Sequence, residues 1–485
     1  MNPKPTETYS PPKDPWAAPP SPGPLNATVV LPGSKSQTSR ALVIGTIAQK
    51  PTVITGALAS RDTHLAIQAM KTLGAEFEFA KDQNELTITP PKELKGGGKI
   101  DCGLAGTVMR FGTALAAFAD GRTRFVGDPA AEKRPLEPLM RALESLGAKV
   151  KYRGQPGFLP LTIRGSRTRA KSVFSELVSD SWTPDGTKSV RVDTSSSSQY
   201  LSALFLASPL IPEPTVIRAE GRLPSWPYVA MSLDMLKKQG VNIRRTSSSS
   251  WVSDPTRPAG NPITIEPDLS NAGPFLAAAL LCGGSVTIRD WPVETDQVGK
   301  YWMEILPAFG ASVVLSAHGL TVHAPEGLTW DGLDLDLGAY GELAPTVAAL
   351  CVFAKTPSTL MGIGHLRGHE TDRLSAMATE IERLGGKARI LHDGIRINPH
   401  PLHPALIHSY DDHRMATFGA IVGLRVPGCT VDDITTTAKT LPLFPKRWDA
   451  MLAGERSPEP LWPSHVEEDP SLIAVADAGI SDPEV

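Results

Sequence analysis

SRALVIGTIAQ (residues 39–49), TVITGA (52–57), DTHLAIQAMKTLG (62–74) and AEFEFA (75–80) follow one another with only short breaks. The first piece is an apolar run of helical length, the second is β-branched, and the third carries apolar residues at helical spacing. A glycine then ends the helix and an alternating strand follows. The order returns at AGTVMRFGTALAAFA (105–119), TRFVGD (123–128), LEPLMRALESLG (136–147) and AKVKYR (148–153). Later copies begin at SSSQYLSALFLA (196–207), NAGPFLAAALLC (271–282) and GELAPTVAALCVFA (341–354). A sixth begins at DDHRMATFGAIVGL (411–424) and is expected to lack the closing glycine and strand. The glycines that end the second helix fall at 74, 147, 240, 310 and 385, intervals of 73, 93, 70 and 75. The long interval holds a polar insertion at 172–188. Regular spacing predicts a duplicated α/β unit, and six units divide naturally into two similar domains of three.

Composition bounds the function. At 485 residues the chain exceeds one compact core. Lys and Arg number 48 against 51 Asp and Glu, a formal charge of −3, which argues against a nucleic-acid binder. Anionic small substrates stay open, since they need only a local cluster of cations. The four cysteines, 102, 282, 351 and 429, form no CxxC pair, so a reduced intracellular chain is expected. No stretch approaches the length of a membrane span, and neither a secretory nor a transit signal is visible. Residues 1–24 read as a disordered Pro-rich tail and 456–485 as a disordered acidic one.

The polar residues gather just before the first helix of nearly every unit: GSKS (33–36), GLAGT (103–107), SSSSQ (195–199), DLSN (268–271) and YDDHR (410–414). A helix start presents unpaired N–H groups and a partial positive charge, so it suits phosphate or carboxylate. Taken singly, each segment also reads as an ordinary N-cap. Together with Lys35, Arg40, Arg110, Arg373, Arg414 and Lys439 they point to a ligand with several anionic groups. GSKS lacks the spacing of an ATP-binding P-loop. His365, His369 and Glu370 raise a metal site, the two His being four apart, but Glu370 follows the second His and Gly364 and Gly368 disfavour a helix through the segment, so no metal is expected. Asp411, Asp412 and His413 are consecutive and read as a helix cap beside a hydrogen-bonding His. Glu342, opening an apolar helix, reads equally as a cap or as a general base.

In chain order, LPGSKSQTSRAL (31–42), LAGTVMRF (104–111), SSSQYLSAL (196–204), HETDRLSAMATEIERLGG (369–386), YDDHRMA (410–416) and KTLPLFP (439–445) resemble the signatures of the 5-enolpyruvylshikimate-3-phosphate synthases. The resemblance spans about residues 27–452. It implies the enolpyruvyl-transferase fold: two domains, each of three βαβαββ units, with the chain crossing twice between them. Residues 25–33 and 263–455 form one domain and 34–262 the other. The implied reaction transfers the enolpyruvyl (carboxyvinyl) group of phosphoenolpyruvate to the 5-hydroxyl of shikimate 3-phosphate and releases phosphate. It belongs to the shikimate pathway to chorismate and the aromatic amino acids. The resemblance implies no cofactor, no nucleic-acid or membrane partner, a cytoplasmic monomer, and glyphosate inhibition competitive with phosphoenolpyruvate.

By the same resemblance Lys35, Ser36, Arg40, Ser197, Ser198, Gln199, Ser225, Glu342 and His369 hold shikimate 3-phosphate. Lys35, Gly106, Arg134, Gln199, Arg373, Arg414 and Lys439 hold phosphoenolpyruvate, with Arg110 nearby. The catalytic set is Glu342 as proton acceptor, Lys35 or Lys439 as proton donor, and His369. Three positions depart from the family pattern: Glu342 stands for the usual Asp, His369 for a frequent Lys, and His365 for the usual Asn. In GDPAAEKRP (127–135) Ala130 follows the first proline where an Arg is common, leaving Arg134 as the substitute. Two other readings stay open. One is UDP-N-acetylglucosamine 1-carboxyvinyltransferase, whose acid is commonly a Cys that 127–135 lacks. The other is an inactive paralogue that only binds a phosphorylated metabolite.

Overall fold

Six short sheets repeat one hydrogen-bonding scheme in the computed structural model, which describes residues 14–80, 84–166 and 187–460. In the third unit Lys188–Asp193 runs parallel to Thr215–Glu220, which pairs antiparallel with Ser250–Ser253, itself antiparallel to Ile243–Arg245. The second unit (Lys99–Asp101, Arg122–Val126, Leu161–Arg164, Lys149–Tyr152) and the fifth (Asp334–Asp336, Ser358–Met361, Gly394–Asn398, Lys387–Leu391) follow the same order.

The first and fourth units exchange their edge strands. Ile263–Thr264 lies parallel to Thr52–Thr55, and Leu25–Val29 lies parallel to Gly284–Ile288. The two crossings run side by side, with Gly33 bridged antiparallel to Pro267. Ser34 N donates to Glu266 O and Asp268 N to Pro32 O, both at 2.8 Å. Gly33 is required there, because a Cβ would lie 2.0 Å from Gly56 O.

Each unit's first helix is buried throughout most of its length, including polar residues in the opening turns of Lys35–Thr46 and His413–Gly423. These are Lys35–Thr46, the run through Val108–Gly112 and Thr113–Ala116, Gln199–Ala207, Gly273–Cys282, Ala344–Cys351 and His413–Gly423. The second helices, such as Arg61–Thr72 and Arg373–Arg383, are amphipathic and cover the outside. The five predicted terminating glycines all take positive φ, from 78° to 100°. Buried apolar side chains form two clusters. One contains Val29, Phe275, Trp302, Leu350, Met415 and Trp448, and the other Ile44, Met109, Phe125, Leu204 and Trp251.

Three expectations need correction. The sixth unit does close with a glycine: Gly454, φ 68°, ends Phe444–Ala453. Its third strand comes from the other end of the chain, where Trp16–Ala17 pairs antiparallel with Thr430–Val431. The region expected to be a tail through residue 24 is therefore part of a sheet, because a two-stranded sheet would leave an open edge that Trp16 and Ala17 cover. Trp16 also packs on Phe444, ring centroids 6.2 Å apart. At the other terminus Ser457 is buried and its Oγ accepts from Val30 N at 3.2 Å, so the tail does not begin at 456. Residues 1–13 and 461–485 of the two expected tails, and 172–186 of the polar insertion, lie outside the described residues. Among those described, all four cysteines are free and buried, and no helix is long and apolar enough to cross a membrane.

Candidate active site

The helix starts of both halves converge, and the charged residues separate into two unlike groups. In the half built from residues 263–455 the centre is Arg373, 1% exposed, at the first position of its helix. Its guanidinium reaches Asp412 through Nε (2.7 Å) and Nη2 (3.1 Å), Glu342 through Nη1 (2.9 Å) and Glu370 through Nη2 (3.0 Å). Glu342 sits in a single 3-10 turn, Gly341–Leu343, ahead of its helix. Its Oε1 lies 3.3 Å from His369 Nδ1, and its Oε2, which takes the Arg373 bond, also lies 3.7 Å from Arg414 Nε. Burial alone pushes the Glu342 carboxyl up, but Arg373, His369 and Arg414 together hold it well below the usual carboxylate range. Glu370 is held low in the same way by Arg373, Arg134 and Lys35 against its burial. Arg414 donates to Ser270 O and Oγ at 2.8 and 3.0 Å, and Lys439 Nζ donates to Asp411 O.

Across from it the cations lack matching anions. Arg110 Nη1 donates to Gly106 O at 3.1 Å and Arg134 Nη1 to Leu104 O at 2.9 Å. The Nε of each is buried without a hydrogen-bond partner. Among the described residues no carboxylate lies within ion-pair distance of either guanidinium. Burial and the neighbouring Arg134 push Arg110 down to about 10. Both guanidiniums face Gly106: a Cβ there would lie 2.6 Å from Arg110 Nη1 and 2.8 Å from Arg134 Nη2. Two buried, mutually repelling cations around a bare backbone make a receptor for an anion. Lys35 stands at the edge of this group. Burial works against its charge, but Asp62, 3.3 Å away, with Glu370 and Glu342 holds the ammonium above its usual range.

The serine side joins the two halves. Ser225, left-handed at φ 51°, places its Oγ 3.4 Å from His365 Nε2, and Arg222 meets Asp393 at 3.1 Å. Ser198 caps Gln199–Ala207, Ser197 Oγ accepts from Gln199 N, and Gln199 Oε1 is buried without a partner. Ser36 lies in the first turn of its helix, where its carbonyl accepts from Arg40 Nη1 at 2.8 Å. Arg40, 1% exposed, also donates to Ser232 Oγ and Tyr228 O, both at 2.8 Å, and to Ser202 Oγ at 3.5 Å. Its guanidinium thus braces Ser36 and Tyr228 from within the fold. The segment 364–368 forms a 3-10 helix despite its glycines; it carries His365 and ends before His369. The imidazoles lie 5.8 Å apart and pair with Ser225 and with Glu342–Arg373.

Burial, with His369 beside it, pushes His365 from 6.5 down to about 4. On acidification the unfolded chain takes up this proton before the folded one does. Stability present above pH 6.5 is therefore lost as pH falls towards 4, on the order of 1–2 kcal/mol by pH 5. Thermal melts of the wild type and His365→Asn at pH 7 and pH 5 check this. The substitution should remove that share of the acid loss, and an identical loss in both proteins rules the assignment out.

All the sequence-predicted residues lie on these converging segments, with Arg40 reaching the cleft only through what it braces. The sequence reading missed Asp62 and Tyr228, weighed Glu370 only as a metal ligand, and read Asp412 as a helix cap, which it is: its Oδ1 accepts from Arg414 N at 2.8 Å. The three acids pair with Lys35 and Arg373, and the Tyr228 phenol is pushed well up by burial and by Glu342.

Three comparisons place the chain among known proteins. The sequence model of the family described as EPSP synthase (3-phosphoshikimate 1-carboxyvinyltransferase) matches residues 20–448. A 3-phosphoshikimate 1-carboxyvinyltransferase of Kocuria rhizophila is 47% identical over 452 residues, which cover 91% of this chain and 97% of that protein. Among solved structures, an EPSP synthase of Acinetobacter baumannii superposes with a TM-score of 0.70 at 23% identity, covering 88% of this chain and 96% of its own. The enolpyruvyl transferase NikO of Streptomyces tendae reaches 0.61 at 16% identity, covering 88% and 94%. At such identities the two structures speak to the fold.

Proposed function

The chain belongs to the EPSP synthase (3-phosphoshikimate 1-carboxyvinyltransferase) family, and from that premise we propose how its residues divide the work. The activity is transfer of the enolpyruvyl group of phosphoenolpyruvate to the 5-hydroxyl of shikimate 3-phosphate, with release of phosphate. The observation that carries the site reading is the pair Arg110 and Arg134 around Gly106, buried and with no carboxylate at ion-pair distance among the described residues. This is the seat of phosphoenolpyruvate, completed by Lys35, Gln199, Arg373, Arg414 and Lys439. Shikimate 3-phosphate lies beside it, on Lys35, Ser36, Ser197, Ser198, Gln199, Ser225, Glu342 and His369, with Arg40 bracing Ser36.

The 5-hydroxyl loses its proton to Glu342 as its oxygen bonds to C2 of phosphoenolpyruvate. The C2=C3 electron pair takes a proton at C3 from Lys35 or Lys439. The tetrahedral adduct then returns a proton from C3 to the lysine that supplied one, the double bond re-forms, the C2–O bond to phosphate breaks, and the departing phosphate takes the hydroxyl proton from Glu342. In the free protein Glu342 is a weak base because the Arg373 and Arg414 cations, with the His369 imidazole, hold its proton off. Bound phosphates and carboxylates share those cations, so substrate binding itself raises the basicity of Glu342. The two apolar clusters are the two bodies that close on the substrates, pivoting at the paired crossings, and closure excludes water. The site is assembled from one chain, consistent with a monomer, and the cytoplasm is the compartment proposed.

Phosphate release by the purified protein, with each substrate omitted in turn, tests the reading. Release that needs both substrates supports it, and none from a folded protein refutes it. Gly106→Ala drives a methyl group into both guanidiniums. It is expected to raise KM for phosphoenolpyruvate about tenfold. Glyphosate is expected to compete with phosphoenolpyruvate and to lose potency in the same variant. Unaltered kinetics in both respects would put the seat elsewhere.

A further inference from the structure

Tyr410 and Asp411 are consecutive residues with φ of 56° and 54°, a conformation disfavoured for any residue with a Cβ. The turn is nonetheless held at several points. Tyr410 Oη donates to Glu380 Oε1 at 2.5 Å, and Glu380 Oε2 accepts from His408 N at 3.1 Å and Arg383 Nε at 3.2 Å. Ser409 N donates to Asp432 Oδ1 at 2.8 Å, and Asp412 N closes the turn on Ser409 O at 2.9 Å. Glu380 is fully buried on the helix that opens with Arg373. Seven residues separate them, two turns, so both face the same way. One helix face thus grips the turn twice, through Arg373 on Asp412 and through Glu380 on Tyr410.

We propose that Tyr410 and Glu380 are positioning residues for the reaction. Their bond holds the left-handed turn that aims the Asp411 carbonyl at the Lys439 ammonium and the Asp412 carboxylate at Arg373. Neither belongs to the substrate-contacting set, and both act through Lys439, Arg373 and Arg414. The inference rests on the proposed placement of phosphoenolpyruvate against those three cations. Without the phenol's hydrogen bond the turn relaxes into ordinary backbone for part of the time, and only the strained fraction binds phosphoenolpyruvate productively.

The test is steady-state kinetics on the full chain. The wild-type rate with both substrates checks the proposed function separately. Tyr410→Phe keeps the ring and removes the bond. It is expected to lower kcat/KM for phosphoenolpyruvate about tenfold, with KM for shikimate 3-phosphate nearly unchanged. Adding Asp411→Gly, which makes the left-handed backbone easy again, is expected to recover most of that loss. An unchanged kcat/KM in Tyr410→Phe overturns the proposal. So does an equal loss for both substrates that Asp411→Gly fails to recover, since a general packing defect behaves that way.

Discussion

Glu342→Gln is expected to lower kcat by about 10²- to 10⁴-fold, the usual share of a positioned general base, while shikimate 3-phosphate still binds. The amide keeps the shape and one accepting oxygen but cannot take the hydroxyl proton. Its neighbours survive the change. Arg373 retains Asp412 at 2.7 and 3.1 Å and Glu370 at 3.0 Å, so the central guanidinium is neither freed nor left unpaired. Titration calorimetry with shikimate 3-phosphate separates binding from turnover. Full turnover in the variant would remove Glu342 from proton transfer. Lost binding would make its carboxylate a substrate contact first and a base second.

Arg134→Met is expected to raise KM for phosphoenolpyruvate about 10²-fold, as removing one buried partner of an anion does. Stability should move the other way. Arg134 is 8% exposed, its Nε has no partner, and its charge opposes that of Arg110. Replacing it with an apolar chain of similar length relieves repulsion and desolvation together, so the unliganded melting temperature should hold or rise. Phosphoenolpyruvate should also raise the melting temperature of the wild type more than that of the variant, because a ligand stabilises only what it binds. A variant that melts several degrees lower with unchanged KM would make Arg134 a structural residue.

The repeat was legible because its punctuation is chemical. Glycines that must turn left-handed recur at fixed spacing, and the wholly apolar runs among the first helices, such as Gly273–Cys282, can only be interior. Trp16–Ala17 escaped because a two-residue strand has no period and sits in Pro-rich surroundings. Among the cations, Arg134 is displaced in sequence from where an Arg is common. It follows the short 3-10 turn Ala131–Lys133, and its guanidinium faces Gly106. The ion pairs of Asp62, Glu370 and Asp412 were illegible for a different reason. A carboxylate near the start of a helix reads as a partner for the helix dipole, and only the fold reveals that Lys35 or Arg373 stands opposite.

The exchanged edge strands set a timetable for synthesis. Leu25–Val29 leaves the ribosome early, yet its sheet partner Gly284–Ile288 is made some 259 residues later. At about 5–20 residues per second that is a wait of roughly 13–50 s. The whole of residues 34–262 emerges in between and can condense on its own core, short only of the Ile263–Thr264 edge. Trp16–Ala17 waits longer still, until Thr430–Val431 emerges, so this early-made pair is among the last to be locked in place.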